Sequence, residues 1–421
     1  MFTLVRRIQL VTLVALNLTV GWAQGGAAAE EPVLQLNAAI GEAMQRNPDI
    51  AAAKARWQSS RAKVPAASAL PDPQVGIEYW GFRQAFNLGD APETWYDVSQ
   101  EIPFPGKLAV RSKIARHAAE KDEALYAAVI RTVVTRVKSA YVQWFLANRS
   151  LELIQYNVDL LRRVTDVAQA KYAANLRPQL DALRAQLESS KLLNLSLQLE
   201  GERQAAQAEL NSLLGRAANE PLGQPKEPSL EPLAFTYEEL ERLALAQRPE
   251  IRVAEHELLH MQAETAEAKL DYAPDLMVQY SRRTLDAGTD DNIVMFKVNV
   301  PLWFWKQGSL VKAAKAAQQA AQEELRSQQL ETRAGVKTYL AKVQTTRQMG
   351  QVYQTSLLPQ AQQAIDAALQ GYEANRVEFT DLVDSQRQWV ELQMEHYQYL
   401  AMYWQYVAAL ERFVGEELSI P

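Results

Sequence analysis

No cysteine occurs anywhere in the 421-residue chain. That absence excludes disulfides, thiolate metal sites and a lipid-bearing N-terminal cysteine. Histidine is scarce, at four residues, which leaves too few ligands for a dedicated metal chaperone. An excess of positive charge is also missing. The formal net charge is −6, so bulk electrostatics give nucleic acid no reason to bind. Beyond the first 30 residues no run of 18 apolar residues occurs, and no spanning helix is expected there. Any contact with a bilayer then falls to β-strands or an amphipathic surface. Proline is missing from 106–177 and from 302–358, stretches long enough for very long helices.

At the N-terminus, Arg6 and Arg7 precede a mostly apolar run from Leu10 to Val20 and then small residues. This is the pattern of a secretory leader over 1–29, with cleavage expected after Ala23 or Ala29. The run is shorter than the ~20 residues a spanning anchor needs. The leader carries two arginines and no acid, so its loss makes the remainder two charges more negative. Secretion without disulfides at this length points to a Gram-negative envelope.

The chain then states its pattern twice, about 200 residues apart. Asn47-Pro48-Asp49-Ile50 returns as Arg248-Pro249-Glu250-Ile251, and Ile102-Pro103-Phe104 as Val300-Pro301-Leu302. Gly106 returns as Gly308, Val137-Lys138 as Val336-Lys337, and Asp181 as Asp381. Tyr172-Ala173-Ala174-Asn175 returns as Tyr372-Glu373-Ala374-Asn375. So many landmarks in one register mark a duplicated unit. The expected organisation is a first repeat over 30–215, a segment over 216–236, a second repeat over 237–415 and a tail over 416–421. The middle segment, with Pro221, Pro225, Pro228 and Pro232, reads as a linker or as an equatorial belt outside the helices.

Within each half the period changes. Val75, Ile77 and Tyr79 alternate with Gln74, Gly76 and Glu78, and Tyr96, Val98 and Ile102 oppose Asp97, Ser99 and Glu101. In the second half Leu276, Val278 and Tyr280 oppose Gln279 and Ser281, while Val294, Phe296 and Val298 oppose Lys297 and Asn299. Period two with one apolar face predicts a β-hairpin at about 73–103 and another at about 276–301. Strands of ~10 residues suit a tilted membrane crossing. Four strands cannot close a barrel, and an open edge in lipid leaves backbone groups unpaired. Several chains would have to share one barrel. Trp303 and Trp305, just after the last strand, fit an aromatic belt at the membrane–water interface. The alternative is a soluble β-sandwich with these tryptophans in its core.

The remaining residues predict helices. Val133, Val137, Ala140, Trp144, Ala147, Leu151, Ile154, Val158, Leu161, Thr165 and Ala168 keep alternate spacings of four and three, the heptad of a coiled coil. Helices over 106–172 and 308–372 would each be about 100 Å long at ~1.5 Å per residue. Each is expected to turn at a tip (about 172–178 and 372–378), with Asn175 and Asn375 in the left-handed conformation, and to return over 179–215 and 379–414. The fold class is mostly α with a small β part: a duplicated unit of transmembrane β-hairpin plus long coiled-coil helical hairpin.

These features carry a resemblance. The duplication, the strand hairpin before each long helix pair, Leu70-Pro71-Asp72-Pro73 leading into the first strand, and the run from Ser99 to Leu108 (SQEIPFPGKL) leaving the second are similar to the TolC-type outer-membrane efflux proteins. The last two resemble the heavy-metal branch, the cobalt–zinc–cadmium (CzcC-like) components. The resemblance implies a homotrimer in outer-membrane lipid, with a shared β-barrel and an α-helical tunnel reaching into the periplasm. It also implies a periplasmic adaptor protein and an inner-membrane RND-type pump as partners, no cofactor and no catalysis. Carried over residue by residue, it makes Tyr172, Asn175, Leu176, Asn375, Arg376 and Val377 the adaptor-docking tip. Asp181 and Tyr372 match a latch between neighbouring coils, and Asp381 and Asp384 an acidic constriction, together the periplasmic gate. Asn stands at 175 and 375 where the family pattern has Gly.

One motif points elsewhere. His256-Glu257-Leu258-Leu259-His260 reads H-E-x-x-H, the zinc-protease pattern of two histidines on one helix face with a glutamate that activates water. A catalytic centre needs a third ligand and a cleft, and Glu264 and Glu267 on the same helix build no pocket. No metal centre is therefore expected, with His256 and His260 as its only candidates. Two further readings stay open: a drug- or protein-exporting channel of the same build, and a soluble periplasmic coiled-coil scaffold.

Overall fold

Proline and a polar cap start the chain's first helices. In the computed structural model, which describes residues 33–81, 88, 91–285, 288 and 290–418, α1 (Leu36–Arg46) and α2 (Pro48–Ala67) are broken at Asn47. Pro48 at the first helical position costs no hydrogen bond. The Asn47 side chain accepts from the Asp49 amide at 2.9 Å and donates to Leu213 O at 2.9 Å. The second half repeats the break between α5 (Tyr237–Gln247) and α6 (Pro249–Leu270) with nearly the same backbone at Arg248. Arg248 is buried and instead donates to Thr332 Oγ1 at 2.7 Å, its guanidinium lying over Phe413. The leader expected over 1–29 lies outside the described residues.

The four strands are β1 (Gln74–Trp80), β2 (Glu93–Ile102), β3 (Asp275–Leu285) and β4 (Asp291–Asn299). They form one antiparallel sheet in the order β1-β2-β3-β4. The two hairpins are therefore joined at β2 and β3, the end of one repeat's hairpin against the start of the other's. Register places Val75, Val98, Tyr280 and Val294 in one transverse row. β1 and β4 each leave one edge without a partner among the described residues.

The sheet feeds two long helical hairpins. α3 (Lys107–Ala173) is one unbroken helix of 67 residues and returns as α4 (Gln179–Leu214). Gly106 precedes it at φ 99°, a left-handed turn after Pro105 that few side chains tolerate. The second copy differs. It lacks the second proline, so α7 (Phe304–Val352) starts earlier and absorbs Gly308 as an ordinary helical residue. Nor does one helix run on to residue 372. A π-helical turn over Tyr353–Leu357 separates α7 from α8 (Leu358–Glu373). Pro359 is the cause: it has no amide proton and its ring crowds the carbonyl four residues back, which the wider turn relieves. α8 returns as α9 (Phe379–Val414).

Heptad positions fill the core as far as Ile154, beyond which Asn157 and Val164 are buried where the heptad predicts Val158 and Thr165, which are only half-buried. Val133, Val137, Ala140 and Trp144 pack with α1 and α4, and Leu151, Ile154 and Ala185 with α8 and α9 further along. The proline-rich segment wraps these helices outside. Trp144 Nε1 donates to Gly223 O at 3.1 Å and Trp404 Nε1 to Ser229 O at 2.8 Å. Tyr141 accepts from the Lys226 amide at 2.9 Å, and Tyr403 donates to Glu231 O. The segment's carbonyls, which proline keeps out of helix or sheet, are thus met by side chains of α3 and α9.

Candidate functional site: the joined tips and the open sheet

Both tips turn on asparagine. Asn175 (φ 58°) and Asn375 (φ 61°) are the left-handed non-glycine residues of the described chain. The Leu176 amide returns to Lys171 O at 2.9 Å and the Arg376 amide to Gly371 O at 2.7 Å, closing each helix by the Schellman pattern. At Gly371 an added Cβ would sit 2.3 Å from Val377, so the second tip closes only over a bare α-carbon.

Two basic residues from the first tip hold the second. Lys171 Nζ donates to Tyr372 O at 2.6 Å, Glu373 O at 3.0 Å and Asn375 Oδ1 at 2.7 Å. The first two are the last carbonyls of α8, where a cation is favoured. Arg177 donates to Val377 O at 2.8 Å. Lys171 and Arg177 both lie over the Tyr372 ring, at 4.9 and 5.6 Å from its centroid, and Phe379 meets it edge-on. Desolvation, then the Arg177 charge, holds the Lys171 ammonium below its ordinary range. Sequence reasoning missed both cations. The signal was available in the duplication, because Lys171 and Arg177 face Gly371 and Val377 in the other copy.

The residues matched to the family gate separate into two environments. Asp181 and Tyr372 are buried neighbours. Burial, then the Asp181 charge, raises the Tyr372 phenol above its ordinary value, with Arg177 opposing. No hydrogen bond joins them, and Tyr372 Oη has no partner among the described residues. Asp381 and Asp384 are exposed on α9. Asp384 lies 3.5 Å from Arg387, which also forms a short pair with Glu188 of α4. The matched docking residues Asn175, Leu176, Asn375 and Arg376 are exposed, and Val377 is half-buried. Tyr172 is 44% exposed whereas its duplicate Tyr372 is 2% exposed, so the copies have parted in role.

At the other end the sheet is two-faced. Val75 is 77% exposed, Val294 58%, and Val98 and Tyr280 46% each, so no second layer covers the apolar row. The opposite face carries Gln74, Ser99 and Gln279 in one row and Glu101 and Lys297 in another. A sandwich hairpin would bury its apolar face. This one presents it outward, as a lipid-facing strand does. Val300, Leu302, Trp303, Phe304 and Trp305 continue the exposed apolar surface, with the two indoles 5.1 Å apart. Among the described residues no helix is long and apolar enough to cross a membrane.

The H-E-x-x-H residues do not converge. Glu257 pairs with Lys121 at 2.9 Å, so it is no free base. His260 spends Nδ1 on Ile114 O at 3.1 Å and Nε2 on Glu264 at 3.2 Å. His256 turns to Glu120 of α3 at 3.2 Å. The two histidines share a helix and no ligand site.

Comparison with known proteins follows the same lines. The chain is 23% identical over 388 residues to the cobalt-zinc-cadmium resistance protein CzcC of Cupriavidus metallidurans, covering 91% of this chain and 90% of that protein. Its fold matches the outer-membrane channel OprN with TM-score 0.79 at 18% identity, covering 90% of this chain and 89% of that one. It matches CusC with TM-score 0.78 at 19% identity, covering 94% and 95%. The model of the outer membrane efflux protein family matches twice, over residues 39–216 and 240–416, so this duplicated chain belongs to the outer membrane efflux protein family.

Proposed function

We propose that three copies of this chain close one barrel and one tunnel, and that the resulting duct carries heavy-metal cations outward from a periplasmic adaptor and an inner-membrane pump. The carrying observation is the sheet, open at both edges with its apolar face uncovered. A single copy would leave edge amides and carbonyls unpaired in lipid. Three copies of four strands give twelve, an even number within the range of bacterial barrels. The metal cargo is supported by the relative named for cobalt, zinc and cadmium resistance. The chain is a passive conduit in this reading, and the choice of ion lies with the pump.

Growth of a deletion strain against zinc, cadmium, cobalt, copper and silver, beside a panel of dyes and detergents, tests the cargo. Sensitivity to metals alone is the expected result. Sensitivity to the organic panel would reassign the duct to drugs and leave the trimer untouched.

Asp381 and Asp384 supply the proposed cation preference, since rings of carboxylates favour cations at a constriction. Arg387 lies beside Asp384 alone, so Asp381 should carry the larger share. Asp381→Ala is expected to move the reversal potential in a salt gradient towards that of an unselective pore, and Asp384→Ala to move it less. An unchanged reversal potential in the double variant removes the acidic constriction.

A further inference from the structure

Outside the tips and the sheet, one cluster of metal-ligating atoms among the described residues stands between the repeats. His117 and Glu120 lie three residues apart on one face of α3, and His256 faces them from α6. His117 Nδ1 is 2.8 Å from Glu120 Oε2, and His256 Nδ1 is 3.2 Å from the same oxygen. One ligand atom from each residue lies within 4.8 Å of the others. Around a tetrahedral ion with bonds of ~2.0–2.1 Å, ligand atoms sit about 3.3 Å apart. Small side-chain rotations therefore suffice to close on a cation.

The neighbours keep the three residues free for this task and fix the two helices. Lys121 pairs with Glu257 at 2.9 Å and Arg111 with Glu267 at 2.9 Å, tying α3 to α6 on either side. Arg116 approaches only the other oxygen of Glu120, at 3.9 Å. His260 is occupied by Ile114 and Glu264. His256 Nδ1, in contrast, is buried without a hydrogen-bond partner among the described residues, although it lies 3.2 Å from the carboxylate. A buried ring nitrogen without a partner, beside a carboxylate and a second imidazole, is an arrangement that a cation completes.

We propose that His117, Glu120 and His256 bind one first-row divalent transition-metal cation of the Zn²⁺ class, clipping a helix of the first repeat to a helix of the second. Two imidazoles and a carboxylate are the donor set such ions select over Ca²⁺ or Mg²⁺. His117 is ten residues into α3, about 15 Å along the helix from its sheet end. The clip would stiffen the wall beneath the barrel, far from the tips. It does not depend on metals being the cargo.

The test is titration of the purified, full-length, tag-free protein in detergent with Zn²⁺ by calorimetry, with Co²⁺ absorption as a second probe of the ligand set. One Zn²⁺ per chain is expected, together with a higher thermal midpoint. Loss of an outer partner alone can weaken metal binding about tenfold, so His117→Ala, His256→Ala and Glu120→Gln should each weaken it by at least that. His260→Ala should bind as the parent does. Circular dichroism confirms that each variant is folded. Equal uptake by the parent and the His117→Ala/His256→Ala double variant would overturn the site. So would loss in His260→Ala with none in His117→Ala. Specific binding in a protein whose deletion leaves metal tolerance unchanged would keep the site and remove only the cargo reading.

Discussion

Replacing Lys138 by methionine is expected to cost about 3–5 kcal/mol of folding stability, the range seen when one member of a buried ion pair is removed. Lys138, on α3, is buried, and its Nζ lies 2.7 Å from Glu411 of α9 and 2.9 Å from Glu417. Glu411 also accepts from the Leu418 amide at 3.2 Å. Burial already holds the Glu411 carboxyl above its ordinary value, and Lys138 is what pulls it back. Without the lysine the folded-state value rises further. A raised value means that stability is fully present below the unfolded value, near 4.5, and is lost as pH rises through the folded value. The deficit of Lys138→Met should therefore be widest at neutral pH and narrow below about 4.5. Lys138→Met/Glu411→Leu should recover most of the loss, since two apolar groups strand no charge. Denaturant unfolding of the full chain in detergent at two pH values reads both effects. Equal losses in the single and double variants would show that packing, not charge, is responsible.

That pair also marks where sequence reasoning stops. Val137-Lys138 and Val336-Lys337 are duplicates. Both valines are buried, as the heptad position of Val137 and the duplication predict. The lysines diverge: Lys138 is buried in its ion pair, while Lys337 is exposed and rests over the Tyr237 ring at 4.8 Å. Periodicity tells which face of a helix is buried and which face of a strand is apolar. Strand alternation and the left-handed asparagines were therefore legible from residues alone. Which strand neighbours which was not. β2 meets β3 across some 180 residues of chain, and alternation carries no address. Pro359 stood in plain view, yet sequence alone does not say whether a proline ends a helix or is taken up by a wider turn, as here by the π-turn over Tyr353–Leu357. The candidate site divides the same way. Tyr172 and Tyr372 are identical letters in one register, one exposed and one buried, because Lys171 and Arg177 have no counterparts in the second tip. The His117–Glu120–His256 group joins residues far apart in sequence, so the i, i+4 motif pointed to His260 in its stead.

Lys171→Ala combined with Arg177→Ala is expected to open the tunnel's periplasmic end, raising single-channel conductance in planar bilayers. The two cations join one tip to the other. Lys171 serves three acceptors of the second tip and Arg177 a fourth. Hydrogen bonds from charged groups contribute ~1.5–3 kcal/mol when shielded. These side chains are only half-buried, so solvent screening lowers each tie to about 1 kcal/mol. Losing both ties is then worth about 2 kcal/mol, roughly a thirtyfold change in the ratio of joined to parted tips at ~1.36 kcal/mol per tenfold. Tyr372→Phe should do much less, because its hydroxyl has no hydrogen bond among the described residues to lose. Asp181→Ala should fall between, since it removes a buried charge beside that ring without touching the ties. Lys171→Arg separates charge from geometry. An arginine keeps the cation near the helix end but not the compact three-donor head that reaches both carbonyls and Asn375. Partial leakage in Lys171→Arg and full leakage in the double alanine variant would place the closure in these ties. Parental conductance in the double variant, with leakage confined to Tyr372→Phe, would place it in the buried phenol, and the cations would then be only caps on the end of α8.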